Sequence, residues 1–136
     1  MIKTILETSY NSGEASHIGG ALSMVDILAV LYKKIISINL KKPEDRFILS
    51  KGHGFLGLLS ILYCMKFIKK SNLMTFQKDG SDLIAHPIEN PELGIESSNG
   101  SLGQGISMST GIAHALLKKG LDNKVKRFKA NDLWFI

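Results

Sequence analysis

The sequence predicts a helix-rich fold with a short strand among its helices, and three stretches carry that prediction. "MVDILAVLYKKII" places Ile27, Leu28, Leu31 and Ile35 at helical intervals. "RFILS", Arg46 to Ser50, is short, apolar and bounded by turn residues, which suits a strand. "FLGLLSILYCMKFI", Phe55 to Ile68, is apolar all round, the pattern of a buried helix.

Taken in order, Ser23 followed by Asp26 has the spacing of a capping box, so the first of these helices is expected from about residue 23 to 36. "KKPED" ends it and leads into the strand. "KGHG" turns the chain into the apolar helix, and Ser71 is expected to cap a short helix reaching Gln77. Residues 79 to 102 hold Pro87, Pro91 and several turn residues with little periodicity, so they read as an ordered loop. A loop of that length inside one domain is usually functional. A helix returns from about Gly103 to Lys119, with Gly120 at its stop. On one of its faces Gly103, Ser107, Gly111 and Ala115 recur every fourth residue, a stripe suited to tight packing within the domain or against another subunit. The tail "KVKRFKANDLWFI" has room for a strand, although its pattern is irregular.

Composition narrows the classes. The 136 residues are 44% apolar, enough for the core of one domain. The single cysteine, Cys64, excludes an internal disulfide and is expected to be a buried, inert thiol. No apolar run is long enough for a membrane span, and "MIKTILETSY" lacks the apolar region of a signal peptide. A cytoplasmic protein is expected. The net charge of +5 invites a nucleic-acid reading, but Arg46 and Arg127 are the only arginines. Many of the lysines follow apolar runs in pairs, where they offset helix dipoles. Base reading favours arginine and exposed aromatics, so no nucleic-acid partner is expected.

Three of the four histidines lie in tight turns: His17 in "SHIGG", His53 in "KGHG" and His86 in "AHP". Each alone reads as a structural turn residue. Three placed alike point instead to function, because loops with glycine beside a polar side chain admit close ligand approach. Imidazole suits proton transfer near neutral pH and hydrogen bonding to hydroxyls or phosphates. No helical His-x-x-x-His or His-carboxylate spacing is present, so no metal ligand is assigned. His114 falls mid-helix and reads as structural or solvated. The turn "SSNGSLGQG" lacks the endings of the common phosphate motifs, and by itself offers only backbone amides at a helix start.

Several of these stretches together resemble the N-terminal, diphosphate-binding domain of transketolase, most closely the split form in which that domain is a separate subunit. "SHIGGALSMVDILAVLY" is similar to the family's Gly-His-Pro-Gly-Gly helix opening, with Ile18 in place of proline. "DRFILSKGHG" resembles its strand and Ser-x-Gly-His-Gly turn, and "AHPIENPELGIESSNGSLGQG" its Gly-His-Pro segment and Leu-Gly-Gln-Gly turn. The resemblance covers roughly residues 5 to 125, in the family's order. It implies an α/β thiamine-diphosphate-binding fold, incomplete and helix-rich here, and transfer of a two-carbon ketol unit between sugar phosphates.

By position, the resemblance makes His17, His53 and His86 the catalytic residues. His17 and His53 match histidines beside the thiazolium and substrate hydroxyls. His86 matches one near the reacting end of the donor sugar. It also gives His53, Gly100, Ser101 and Leu102 as cofactor-binding, the turn meeting the aminopyrimidine. The partners it implies are a C-terminal transketolase subunit, which supplies the activating Glu, and a second copy of the N-terminal subunit. The family also uses Mg²⁺, held by a Gly-Asp-Gly motif and a later Asn. Here "KV" opens the matching strand and "KRFKANDLWFI" departs from the pattern, so no metal ligand is assigned to Asn131-Asp132. The expectation is a transketolase-like part over residues 1–125 and a divergent tail over 126–136, as truncation or a frameshift would leave. The activity of the isolated chain stays open. The alternative is a non-catalytic fragment that pairs with a full-length relative through the small-residue stripe.

Overall fold

The computed structural model describes residues 1–37, 45–118 and 133–135. Six α-helices and two strands follow one another in those residues. They are α1 (Ile2–Ser12), α2 (Ile18–Leu22), α3 (Val25–Val30), β1 (Arg46–Ile48), α4 (Phe55–Cys64), α5 (Lys70–Leu73), α6 (Gln104–Lys118) and β2 (Leu133–Phe135). A π-helical turn, Leu31–Ile35, prolongs α3, and short 3-10 turns lie at Gly52–Gly54 and Pro91–Leu93.

Helix α4 is the centre of the fold because its sequence leaves it no polar face. Every residue from Phe55 to Leu62 is buried. Its neighbours are α1, α2, α3 and α5, which contribute Ile5, Ala21, Leu28 and Leu73 to the same core. Small residues set the α2–α4 distance: a Cβ added at Gly57 would lie 3.0 Å from the Ala21 carbonyl oxygen. Strand β1 sends Phe47 and Ile48 into the interior, and Tyr32 packs edge-on against Phe47 with ring centroids 5.5 Å apart. β1 pairs in parallel with β2, Arg46 opposite Leu133 and Ile48 opposite Phe135.

The first helical segment differs from its sequence reading. It opens at Ile18 rather than residue 23 and breaks at Ser23–Met24. Ser23 is not an N-cap: its hydroxyl donates back to the Gly20 carbonyl at 2.9 Å and accepts from Lys51 Nζ at 2.8 Å. Gly19 and Gly20 read as a turn by propensity, yet both are helical, and at Gly20 only a residue without a side chain fits against the His53 turn. Ser71 likewise lies inside α5, which follows Lys69, and caps nothing. Cys64 is exposed, not buried, because α4 ends there and Lys66, at φ 65°, reverses the chain. The N-terminal segment, left unassigned by pattern, forms α1 and closes on Gly13 in a left-handed conformation at φ 74°. Lys119, Gly120 and most of the tail lie outside the described residues. No helix among the described residues is long and apolar enough to cross a membrane.

The stripe on α6 faces outward: Gly103, Ser107, Gly111 and Ala115 are all exposed. The packed face is the neighbouring one. Gly105 is buried so tightly on Ser50 that an added Cβ would collide with the serine Cα, Cβ and Oγ. Ser109, one turn on, is buried and donates to the Gly105 carbonyl at 2.7 Å.

Residues 79 to 102 form an ordered loop, as their composition predicts. Asn90 and Ile95 exchange backbone hydrogen bonds of 2.8 and 3.0 Å. Further back, the Glu89 amide donates to Ser98 Oγ at 2.8 Å and the Asn99 amide to the Pro87 carbonyl at 3.2 Å. The loop is pinned to β1 by Asn99 Nδ2, which donates to the Leu49 carbonyl at 2.9 Å, and by an Arg46–Glu96 ion pair at 2.7 Å.

Burial raises the Glu96 carboxyl above its ordinary 4.5, outweighing the hydrogen bond and charge of Arg46, which lower it. The folded chain therefore holds the Glu96 proton more tightly than the unfolded chain does. Its contribution to stability is present at low pH and lost as pH rises above 4.5 through the raised folded value. Compared with Glu96→Gln, the wild-type chain is expected to lose stability progressively across that window in urea melts at stepped pH. A stability difference that does not change with pH would contradict the assignment.

Candidate functional site

Three separate stretches of chain deliver the histidines to one place. His17 stands at the N-terminal edge of α2, its carbonyl accepting the Ala21 amide at 3.1 Å. The approach to it is held by Gln77 Nε2 on the Ala15 carbonyl at 3.1 Å, by Lys78 Nζ on the Ser12 carbonyl at 2.8 Å, and by a Ser9–Ser16 hydroxyl contact. His53 sits in the 3-10 turn between β1 and α4, closed by the Gly54 amide donating to the Lys51 carbonyl at 2.7 Å. His86 precedes Pro87 in the long loop.

The imidazole rings of His17 and His53 lie 4.6 Å apart between centroids, those of His53 and His86 4.6 Å, and those of His17 and His86 5.2 Å. One donor nitrogen from each ring falls within 4.8 Å of the others. His17 is exposed and the other two are half-buried, so the cluster opens to solvent on one side.

Backbone contacts at two glycines lock these stretches together. A Cβ at Gly20 would lie 2.9 Å from the His53 carbonyl oxygen, and one at Gly52 would lie 2.8 Å from the Asn99 carbonyl oxygen. Helix α2, the His53 turn and the Asn99–Gly100 turn therefore meet main chain to main chain. Gly100 lies beside the cluster, its Cβ direction 3.7 Å from His86 Cδ2. Ser101 and Leu102 are exposed on the turn into α6, Leu102 at 70%.

The electrostatics keep His86 toward its neutral form. Burial lowers its pKa first, and the His53 and His17 imidazoles lower it further. Two buried polar atoms at the site have no hydrogen-bond partner among the described residues, His53 Nδ1 and Asn99 Oδ1. An unmet buried polar atom costs on the order of 1–3 kcal/mol unless another group meets it. Sequence reasoning missed Asn99, whose Nδ2 fixes the loop to the end of β1 while its Oδ1 has no partner among the described residues. Nothing in "SSNGS" distinguishes that asparagine from a turn residue. His114 is exposed on α6, outside the cluster. Chemically, three clustered imidazoles can relay protons near neutral pH, bind hydroxyl and phosphate oxygens, or ligate a metal ion.

Residues 2–132 match the family described as transketolase, thiamine diphosphate binding domain. The chain is 35% identical over 127 residues to an apulose-4-phosphate transketolase subunit of Actinobacillus succinogenes, covering 90% of this chain and 46% of that protein. It is 39% identical over 127 residues to the identically named subunit from Phocaeicola vulgatus, covering 90% of this chain and 44% of the relative. A transketolase from Sinorhizobium medicae is 39% identical over 111 residues, covering 77% of this chain and 16% of its own length. The chain thus spans less than half the length of these relatives. The fold is that of a solved transketolase from Leishmania mexicana, with a TM-score of 0.75 at 24% identity, over 97% of this chain and 20% of that one. With the fold, three converging histidine turns and a family match over nearly its whole length, the chain belongs to the transketolase family, within its thiamine-diphosphate-binding N-terminal domain.

Proposed function

We propose that this chain forms the histidine side of a thiamine-diphosphate site and takes part in moving two-carbon ketol units between sugar phosphates in the cytoplasm. The observation that carries the reading is the convergence of His17, His53 and His86 beside Gly100. The residues suit such a group. Neutral heterocycles and sugar hydroxyls need directional donors and acceptors, which imidazoles and turn amides provide, and His53 Nδ1 stands unpartnered there among the described residues. Thiamine diphosphate, when bound, supplies the carbon nucleophile and the electron sink.

The placement of the chain's own residues supports a division of work among them. His17, open to solvent, hydrogen-bonds substrate hydroxyls at the exposed side of the cluster, and His53, half-buried, holds both hydroxyls and cofactor. His86, whose pKa is lowered by burial and by the two neighbouring imidazoles, is able to accept and return a proton at a ring nitrogen. The backbone of Gly100, Ser101 and Leu102 meets the flat pyrimidine.

The 136 residues contain no Gly-Asp-Gly. Magnesium, which joins phosphate oxygens to carboxylates, needs oxygen ligands that the histidine cluster lacks. The activating carboxylate is proposed to come from the C-terminal partner subunit. The partners proposed are a second N-terminal copy and a C-terminal transketolase subunit. Two of the relatives are named as single subunits of a transketolase, which supports a divided enzyme.

Histidine NMR tests the reading. Millimolar thiamine diphosphate with Mg²⁺ is expected to shift the His17, His53 and His86 imidazole signals together and leave that of His114 in place. Calorimetry of the chain alone is expected to show no saturable micromolar binding, since the diphosphate has no metal anchor. Signals that stay fixed at all three turns, or move equally at His114, would remove the cofactor reading.

A further inference from the structure

We propose that the His17–His53–His86 cluster is also a site for a divalent transition metal of the zinc type, bound by three imidazole nitrogens with a fourth position left to water. The argument begins with donor chemistry. Magnesium and calcium seek oxygen, whereas imidazole suits zinc, cobalt, nickel and copper. The cluster offers three nitrogens and no carboxylate.

The geometry lies close to what such an ion needs. Donors about 2.0–2.1 Å from a tetrahedral ion stand roughly 3.3 Å from one another. The three nitrogens lie within 4.8 Å of one another, so the set must contract by about 1.5 Å at most. Side-chain rotation supplies that movement most easily at His17, which is exposed at the edge of α2. The three rings stand at 59°, 65° and 82° to one another, turned out of parallel, so none stacks flat on a neighbour and blocks its nitrogen.

The surrounding fold favours a fixed site. The main-chain contacts of Gly20 with His53 and of Gly52 with Asn99 hold the ligand-bearing turns in place before any ion arrives. His53 Nδ1 is buried without a partner among the described residues, so the cluster contains an imidazole nitrogen whose hydrogen-bonding capacity is unmet. The nearby cation, Lys51, is engaged with Ser23 Oγ at 2.8 Å. Three histidines and an open fourth position form the donor set of a reactive zinc centre, in contrast to the closed four-ligand sets of structural zinc. A metal ion there would use the same imidazoles that the proposed cofactor contacts need, so the two ligands would exclude one another.

The inference stands on the cluster geometry and needs no cofactor, so it is tested without thiamine diphosphate. Cobalt(II), which reports its coordination through visible d–d absorption, is titrated into the metal-free chain, and zinc is then added. The expected result is one equivalent of cobalt with the intense bands of a tetrahedral ion, displaced by zinc. His17→Gln, His53→Ala and His86→Ala are each expected to weaken binding by at least the roughly 10–100-fold that loss of an outer-shell partner costs. His114→Ala should bind as the wild type does. His17→Gln is the deciding variant because an exposed residue can be changed without disturbing the core, and circular dichroism checks the fold of all four. The weak spectrum of the aqueous ion at one equivalent would overturn the site, as would undiminished tetrahedral bands in His17→Gln.

Discussion

Phe55→Ala is expected to cost about 3–5 kcal/mol of folding stability, as loss of a fully buried aromatic ring does. Phe55 has 0% of its surface exposed and is the first residue of α4, directly after the turn that holds His53. The ring is covered by the core at the point where helix and turn join. Domains of this size are stable by only about 5–15 kcal/mol, so the substitution removes a large share of the total. Urea unfolding followed by circular dichroism measures it. A loss below about 1 kcal/mol, the size of an average surface-tolerant change, would show that the start of α4 is not part of the core.

Gly52→Ala tests the site more directly. Its added methyl would lie 2.8 Å from the Asn99 carbonyl oxygen, 3.1 Å from the carbonyl carbon and 3.2 Å from Gly100 Cα. All three are backbone atoms, so no side chain can swing aside. The expected outcome is a loss of about 1–3 kcal/mol, the usual cost of overpacking. The His53 and Gly100 turns should also separate, visible as NMR shift changes at His53 and His86. Gly19→Ala is the matched control, because its methyl would meet nothing within 4 Å among the described residues. If the two variants unfold at the same urea concentration and leave the histidine spectra alike, the close approach at Gly52 does not hold the site together.

Much of the fold was legible wherever local pattern and tertiary burial agree. The unbroken apolar run of α4 has one compatible environment, the interior, and β1 was marked by its short apolar burst between turn residues. The readings that failed did so where packing overrides propensity. Gly20 looks like a turn residue, yet the close approach of α2 to the His53 turn holds it in a helix. Ser23 looks like a cap, yet its hydroxyl faces back toward Gly20. On α6, a four-residue rhythm of small residues drew attention to the outward face, while Gly105 and Ser109, at the same rhythm two positions on, make the contact.

The candidate site was legible as three separate histidine turns, because glycine or proline beside each imidazole is a local feature. Their meeting was not. It depends on Gly20 reaching the His53 carbonyl and Gly52 reaching Asn99, contacts between residues far apart in sequence that no spacing encodes. Asn99 stayed hidden for the same reason, since its role rests on a carbonyl fifty residues away at Leu49.

The pairing of β1 with β2 has a consequence for how the molecule is made. Arg46 lies opposite Leu133, so the whole stretch between them must emerge from the ribosome before one strand meets its neighbour. Closing so wide a circuit is slow compared with the local collapse of α1 through α5, and contacts of this range set the pace of assembly. Until β2 has been made, β1 has an open flank on the side that β2 will take, and a nascent chain stalled there would be the form most prone to sticking to its neighbours.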